Sequence, residues 1–271
     1  MNRISLMLAV VILASTVGAS LTTAASSKSD LAKEKRWKDQ IVDSLVVGDE
    51  VMLAADGINF LALYAEPTTE KSKGVVILLH GIGVHPAWPD VIEPLRTGLP
   101  ELGWHTLSLQ MPVLKNAAEA SEYNDLIPEV SARLSSALDF LRQKNIENII
   151  VTGHSMGSLM AAYYIAEHPN KNIKSLVILG GDNGVPEQSY MDSLKYFKQL
   201  EQVNIIDVYG SDDTQSVLDT VSIRRLLGKR LYQKHYQLVE VEGANHFYRG
   251  KENKLIDLLN WRLTELAEQA N

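Results

Sequence analysis

The chain has 271 residues, 45% of them hydrophobic, with a formal net charge of −7; that is room for one large α/β domain with a sizeable core. The acidic balance argues against nucleic acid as a partner, because phosphate binding needs clustered Lys and Arg. With no cysteine in the sequence, disulfides, thiolate catalysis and Cys-based zinc sites are excluded.

Residues 1–25 read as a secretory signal peptide. Arg3 supplies the positive start, residues 4–14 are apolar, and Val17-Gly18-Ala19 and Thr23-Ala24-Ala25 are small-residue cleavage sites. An uncleaved anchor is the competing reading, but Ser15, Thr16, Ser20, Thr22 and Thr23 dilute the second half and favour cleavage. The expected location is periplasmic or secreted. No later run of 18 apolar residues predicts a membrane span.

Residues 26–48 read as a linker followed by a short helix over 31–45, with residues 20–32 small and polar. The basic stretches 33–38 and 224–230 are expected to be solvated helix faces. Residues 49–271 form one predicted domain. Two short extended runs, 51–54 and 60–64, flank Asp56-Gly57, a hairpin signal. The GVVILL run at 74–79 suits a strand covered on both faces. A helix over 89–102 and a strand over 104–109 follow. Within 116–145, Val130, Leu134, Leu138 and Leu141 fall on one stripe of an amphipathic helix, with Pro128 in its first turn. Beyond it come strand 146–151, helix 157–168, strand 176–180, helix 190–200, strand 204–209, helix 217–227, strand 236–241 and helix 255–267. The alternation predicts an α/β fold: a mostly parallel sheet with helices on both faces and an N-terminal antiparallel hairpin.

Gly153-His154-Ser155-Met156-Gly157 joins a predicted strand to a predicted helix. That context makes the G-x-S-x-G pattern a candidate nucleophile elbow, with Ser155 held out of a strained turn. Serine is a weak nucleophile unless a base takes its proton and a third group orients the base. In an open α/β sheet, reacting groups gather at the C-terminal ends of the strands. Past strand 204–209 comes Gly210-Ser211-Asp212-Asp213. Past strand 236–241 comes Gly243-Ala244-Asn245-His246. The order Ser155, Asp, His246 is that of α/β-hydrolases.

With His80-Gly81 after the GVVILL run, these motifs make residues 50–270 resemble an α/β-hydrolase. The stretch from His80 to Pro112 resembles more narrowly an exported proteobacterial family classed with those hydrolases, whose function is not established. The resemblance implies Ser155 as nucleophile, His246 as general base, and Asp213, three positions after Gly210, as the triad acid. The residues alone leave Asp212 open. The oxyanion of a tetrahedral intermediate needs two backbone N–H groups. One falls to Met156, at a helix start. By resemblance the second is Ile82, with Gly83 as the other candidate.

Six histidines remain. His80 reads as a loop brace, and His154 as a flank of the nucleophile that could line the pocket. His85 and Trp88 are candidates for the substrate pocket, against a reading as packed loop residues. His105 reads as structural, His168 and His235 as surface residues. No histidine pair has metal-helix spacing, and Gly180–Gly184 lacks the nucleotide-binding glycine pattern, so neither metal nor cofactor is expected. The expected activity is a serine hydrolase acting on an ester or thioester of a small or polymer-attached acyl group. A peptidase or acyltransferase with the same triad, and a non-catalytic envelope binding protein on the same fold, are the alternatives.

Overall fold

A computed structural model describes residues 27–232 and 235–269; the signal-peptide reading lies outside the described residues. Helix α1 (Leu31–Ser44) precedes an eight-stranded sheet: β1 (Asp49–Ala55), β2 (Ile58–Ala65), β3 (Gly74–Leu79), β4 (Trp104–Leu109), β5 (Ile149–His154), β6 (Ile173–Leu179), β7 (Asn204–Asp212) and β8 (Tyr236–Asn245). The spatial order is β1-β2-β4-β3-β5-β6-β7-β8. Strands β3 to β8 run parallel, while β1–β2 and β2–β4 are antiparallel. The first hairpin closes on Asp56 and Gly57, with φ of 48° and 82°. Positive φ at both central residues gives a turn whose twist matches that of the strands, and Asp-Gly tolerates it.

The remaining helices are α2 (Ile92–Gly98), α3 (Glu129–Gln143), α4 (Met156–Glu167), α5 (Ser193–Phe197), α6 (Gln215–Leu231) and α7 (Glu252–Gln269). The continuous apolar strands divide by parity between two cores. Val75, Ile77 and Leu79 of β3 face the layer built on α3, α4 and α5. Val76 and Leu78 face the layer built on α2 and α7. The predicted fold class, a doubly covered, mostly parallel sheet with an N-terminal hairpin, is the observed one.

Several expectations are corrected. Strand β5 starts at Ile149, not 146, because the Ile146 amide still bonds the Leu141 carbonyl at the end of α3. It runs on through Thr152-Gly153-His154, all buried. Helix α5 is only Ser193–Phe197. Its predicted first turn is instead drawn into a bridge between Gly184 and Asp192, and the Asp192 carboxylate caps the helix at the Lys195 amide. The basic stretches are not simply solvated. Lys33 and Glu34 are buried, and Glu34 pairs with Arg133 of α3 at 2.9 Å. Arg224 is buried against Asp207 of β7 at 2.8 Å. Residues 27–30, the described part of the polar 20–32 segment, are held in place. Ser27 and Lys28 bond Glu129, and the Asp30 amide bonds the Val113 carbonyl.

Candidate active site

The β5–α4 junction explains the two glycines. A Cβ at Gly153 would run into the backbone of Gly157, and one at Gly157 into the Leu79 carbonyl on the neighbouring strand. Only bare backbone lets the helix start this close to the sheet. Ser155, between them, sits at φ 54° and ψ −122°, a sparsely populated region for a residue with a side chain. Its amide donates to the Leu179 carbonyl at 2.8 Å, and this anchors the turn to the end of β6.

The next residue, Gly180, faces His246 and Asp213: a Cβ there would lie 3.0 Å from His246 Nδ1 and 3.3 Å from Asp213 Oδ2. Three adjacent strand ends thereby converge. His246 Nδ1 meets Asp213 Oδ1 at 2.6 Å. The Asp213 side chain is fully buried, and its carboxylate also accepts from the amides of Thr214 at 2.7 Å and Gly210 at 3.2 Å. Burial works against the charged carboxylate, but the His246 ring and these amides outweigh it and hold the Asp213 pKa below the ordinary value. Asp212 is exposed, and among the described residues its carboxylate bonds only the neighbouring Ser211 hydroxyl, at 3.3 Å. Between the two aspartates that the residues leave open, the fold brings Asp213 to His246. No hydrogen bond joins Ser155 Oγ to His246 among the described residues.

Ile82, Met156 and Ser155 share the wall of one cavity of about 140 Å³, which runs from the strand ends between the sheet, α4 and α5. Met156 is the first residue of α4, so its N–H has no intrahelical partner. Gly83 stands off the cavity with φ 71°, its backbone next to the Tyr123 hydroxyl. His80 braces this loop: its Nδ1 donates to the Gly81 carbonyl at 2.8 Å, and its Nε2 accepts from the Met111 amide at 2.9 Å. Complete burial pushes the His80 pKa down to about 3, which keeps the ring neutral as this pattern requires.

The three proposed pocket residues lie elsewhere. His85 and Trp88 meet edge to face at 5.5 Å, and His85 also contacts Trp37 of α1 at 5.2 Å. His85 lines a separate hollow between α1 and α2, and Trp88 packs against the α2–α7 core. The proline-bracketed loop packs its aromatics against α1 and α2, outside the cavity that Ser155 lines. His154 is buried behind the site, not in the cavity wall: its Nε2 donates to the His246 carbonyl at 2.9 Å, and the two rings lie 4.9 Å apart. Burial, reinforced by the neighbouring His246 ring, pushes its pKa down to about 4. His105 takes the Tyr64 hydroxyl at 2.8 Å, while His168 and His235 lie on the surface.

Sequence reasoning missed Arg224. It stands in the cavity wall although it lies on α6, 69 residues past Ser155. An arginine that opens a basic stretch of an amphipathic helix carries no signal that it points inward.

A family model described as "Protein of unknown function (DUF3530)" matches residues 4–128 and 115–260. Among solved structures, the fold is similar to Est1E from Butyrivibrio proteoclasticus, with TM-score 0.65 and 17% identity over 80% of this chain and 98% of that one. It is also similar to the Pyrococcus furiosus esterase Pf2001, with TM-score 0.63 and 17% identity over 83% and 97%. A Mycoplasma genitalium protein named "Putative esterase/lipase 3" is 25% identical over 142 residues, 52% of this chain. The match spans about half of that relative's length, 46%. The structural likenesses establish the α/β-hydrolase fold.

Proposed function

The chain belongs to the DUF3530 family of proteins of unknown function, and from its site we propose that it is a serine hydrolase cleaving a carboxylic ester or thioester through an acyl-enzyme. The observation that carries this reading is the 2.6 Å His246–Asp213 pair, next to Gly180 at the end of β6 to which a serine held at φ 54° in the wall of a cavity is anchored.

The chemistry follows from that arrangement. Asp213 holds the Nδ1 proton of His246, which leaves Nε2 as the basic nitrogen. The Ser155 hydroxyl proton moves to Nε2 as Oγ attacks the carbonyl carbon. The N–H groups of Met156 and Ile82 receive the resulting oxyanion. The C–O or C–S bond then breaks, and the leaving group takes the proton from Nε2. Water enters, gives a proton to Nε2 and attacks the acyl-enzyme; the proton returns to Ser155 as the acid leaves. The missing Ser155–His246 hydrogen bond is compatible with this course, since such bonds often tighten only on substrate binding. That same gap favours one alternative, a binding protein on the hydrolase fold. Fluorophosphonate labelling separates the two. The hydrolase reading expects stoichiometric labelling of wild type and none of Ser155→Ala. An unlabelled, folded wild type would leave the binding reading.

The reading extends to location. The N-terminal pattern of Arg3, an apolar stretch and small residues supports export with cleavage near residues 19–25. Mass measurement of the protein from the periplasm and medium of an expressing bacterium tests it; a full-length chain in the membrane fraction would replace it with the anchor reading.

A further inference from the structure

The cavity beside Ser155 is walled largely by apolar side chains, among them Leu159, Ile178, Met191, Leu194 and Phe197. Such a lining alone suits a plain alkyl chain. Arg224 interrupts it. Only 3% of this residue is exposed, yet it contributes to the wall. Its Nε donates to Asp207 Oδ2 at 2.8 Å, its Nη2 to Asp207 Oδ1 at 3.4 Å, and its Nη1 to the Thr220 hydroxyl. Tyr236 donates to the same Asp207 Oδ2 at 2.9 Å. A guanidinium carries five N–H groups, so these three bonds leave two without an acceptor among the described residues.

Resting on the hydrolase reading above, we propose that Arg224 is a specificity-determining residue and that the preferred acyl group carries an uncharged oxygen, a hydroxyl, ketone or ether, at the end remote from the scissile bond. The charge count selects a neutral oxygen over a carboxylate. Asp207 already balances the guanidinium, and Asp182 in the same wall adds a second negative charge. A carboxylate tail would be a third charge of that sign among these groups. A neutral acceptor takes the free N–H groups at no such cost, and a methyl terminus leaves them desolvated and unpaired. The ion pair with Asp207 and the bond to Thr220 fix the guanidinium before substrate arrives, so the preference is built into the fold.

The test is a set of matched p-nitrophenyl esters: 3-phenylpropanoate against 3-(4-hydroxyphenyl)propanoate, pentanoate against 4-oxopentanoate, and the glutarate monoester. Wild type should favour the oxygen-bearing member of at least one pair by about tenfold or more in kcat/KM, and should use the glutarate monoester worst. The Asp207→Asn/Arg224→Gln double variant removes both charges together, so neither is left buried alone. It should lose the preference, its kcat/KM on the oxygenated esters falling to that on their plain partners, with an unchanged circular-dichroism spectrum showing that it is folded. A wild type that labels and cleaves the plain acyl esters as well as their oxygenated partners would overturn this inference alone. A preference that survives in the folded double variant would do the same. Should the double variant fail to fold, the wild-type panel decides. A wild type that neither labels nor turns over any ester would remove the hydrolase reading and this inference with it.

Discussion

Two neighbouring aspartates with the same side chain are assigned opposite tasks by a difference in burial. Asp213 turns inward at the end of β7 and meets His246 and two amides, while Asp212 faces water. Asp213→Asn should therefore lower kcat by ~10⁴, the scale expected when the imidazole loses its orienting acceptor, whereas Asp212→Asn should stay within about twofold. Steady-state kinetics on one activated ester measures both, and equal losses would mean that the loop rather than the carboxylate matters. His154 presents a different case. It touches His246 only through the backbone carbonyl and the face of the ring, so it is a positioning residue. His154→Gln keeps a side-chain N–H donor for that carbonyl and should retain most of kcat. His154→Leu removes the donor and should cost about tenfold, with KM little changed.

At the level of elements, the site depends on helices that sit closer to the sheet than ordinary residues permit. Gly153→Ala would force the elbow apart and should destabilise the fold by more than ~3 kcal/mol, readable as a drop in the urea midpoint together with lost labelling. Helix α1 is tied to the body by the buried Glu34–Arg133 pair, whose Arg133 also bonds the Gln110 carbonyl at 2.8 Å. Glu34→Ala leaves that guanidinium buried and unpaired, and should cost ~3–5 kcal/mol in denaturant titration. These elements also show what the sequence could and could not reveal. Strand β4 was legible to the residue, because Gly103 ends the preceding turn. The β5 boundaries were not, because Thr152, Gly153 and His154 look polar yet are buried, and Ile146 looks apolar yet closes a helix. The order of Ser155, Asp213 and His246 was legible because motifs at strand ends repeat a chemical requirement. The partners of Glu34 and Arg224 were not: they lie 99 and 17 residues away, and pairing across elements leaves no local pattern. The aromatic loop at His85 and Trp88 suggested a pocket, but nothing in it encodes that Trp37 of α1 will receive it.

For the molecule as a whole, buried and partly buried histidines make stability depend on pH, and burial also lowers the pKa of His105. His80, His154 and His85 have pKa values pushed down to about 3, 4 and 4 by burial, against about 6.5 in an unfolded chain. Below pH 6.5 the unfolded chain binds protons that the folded one refuses. The stabilisation is thus complete above that value and is lost as the pH falls toward 4, by roughly 1.4 kcal/mol per pH unit for each fully buried ring. Asp213, with its lowered pKa, adds a further loss once the pH drops below the ordinary carboxylate range. Urea unfolding at pH 7, 5.5 and 4.5 should show a steadily falling midpoint; a flat profile would mean that these rings are hydrated in solution. The strained backbone at Ser155 bears on the same global quantity from the other side. Glycine adopts φ 54°, ψ −122° with far less strain than any residue bearing a Cβ. Ser155→Gly should then melt at a higher temperature than Ser155→Ala, although glycine normally costs more unfolded-state entropy than alanine. On the proposed mechanism the nucleophile is in this sense a standing tax on the fold, and the most durable form of the protein is one that has given up that reaction.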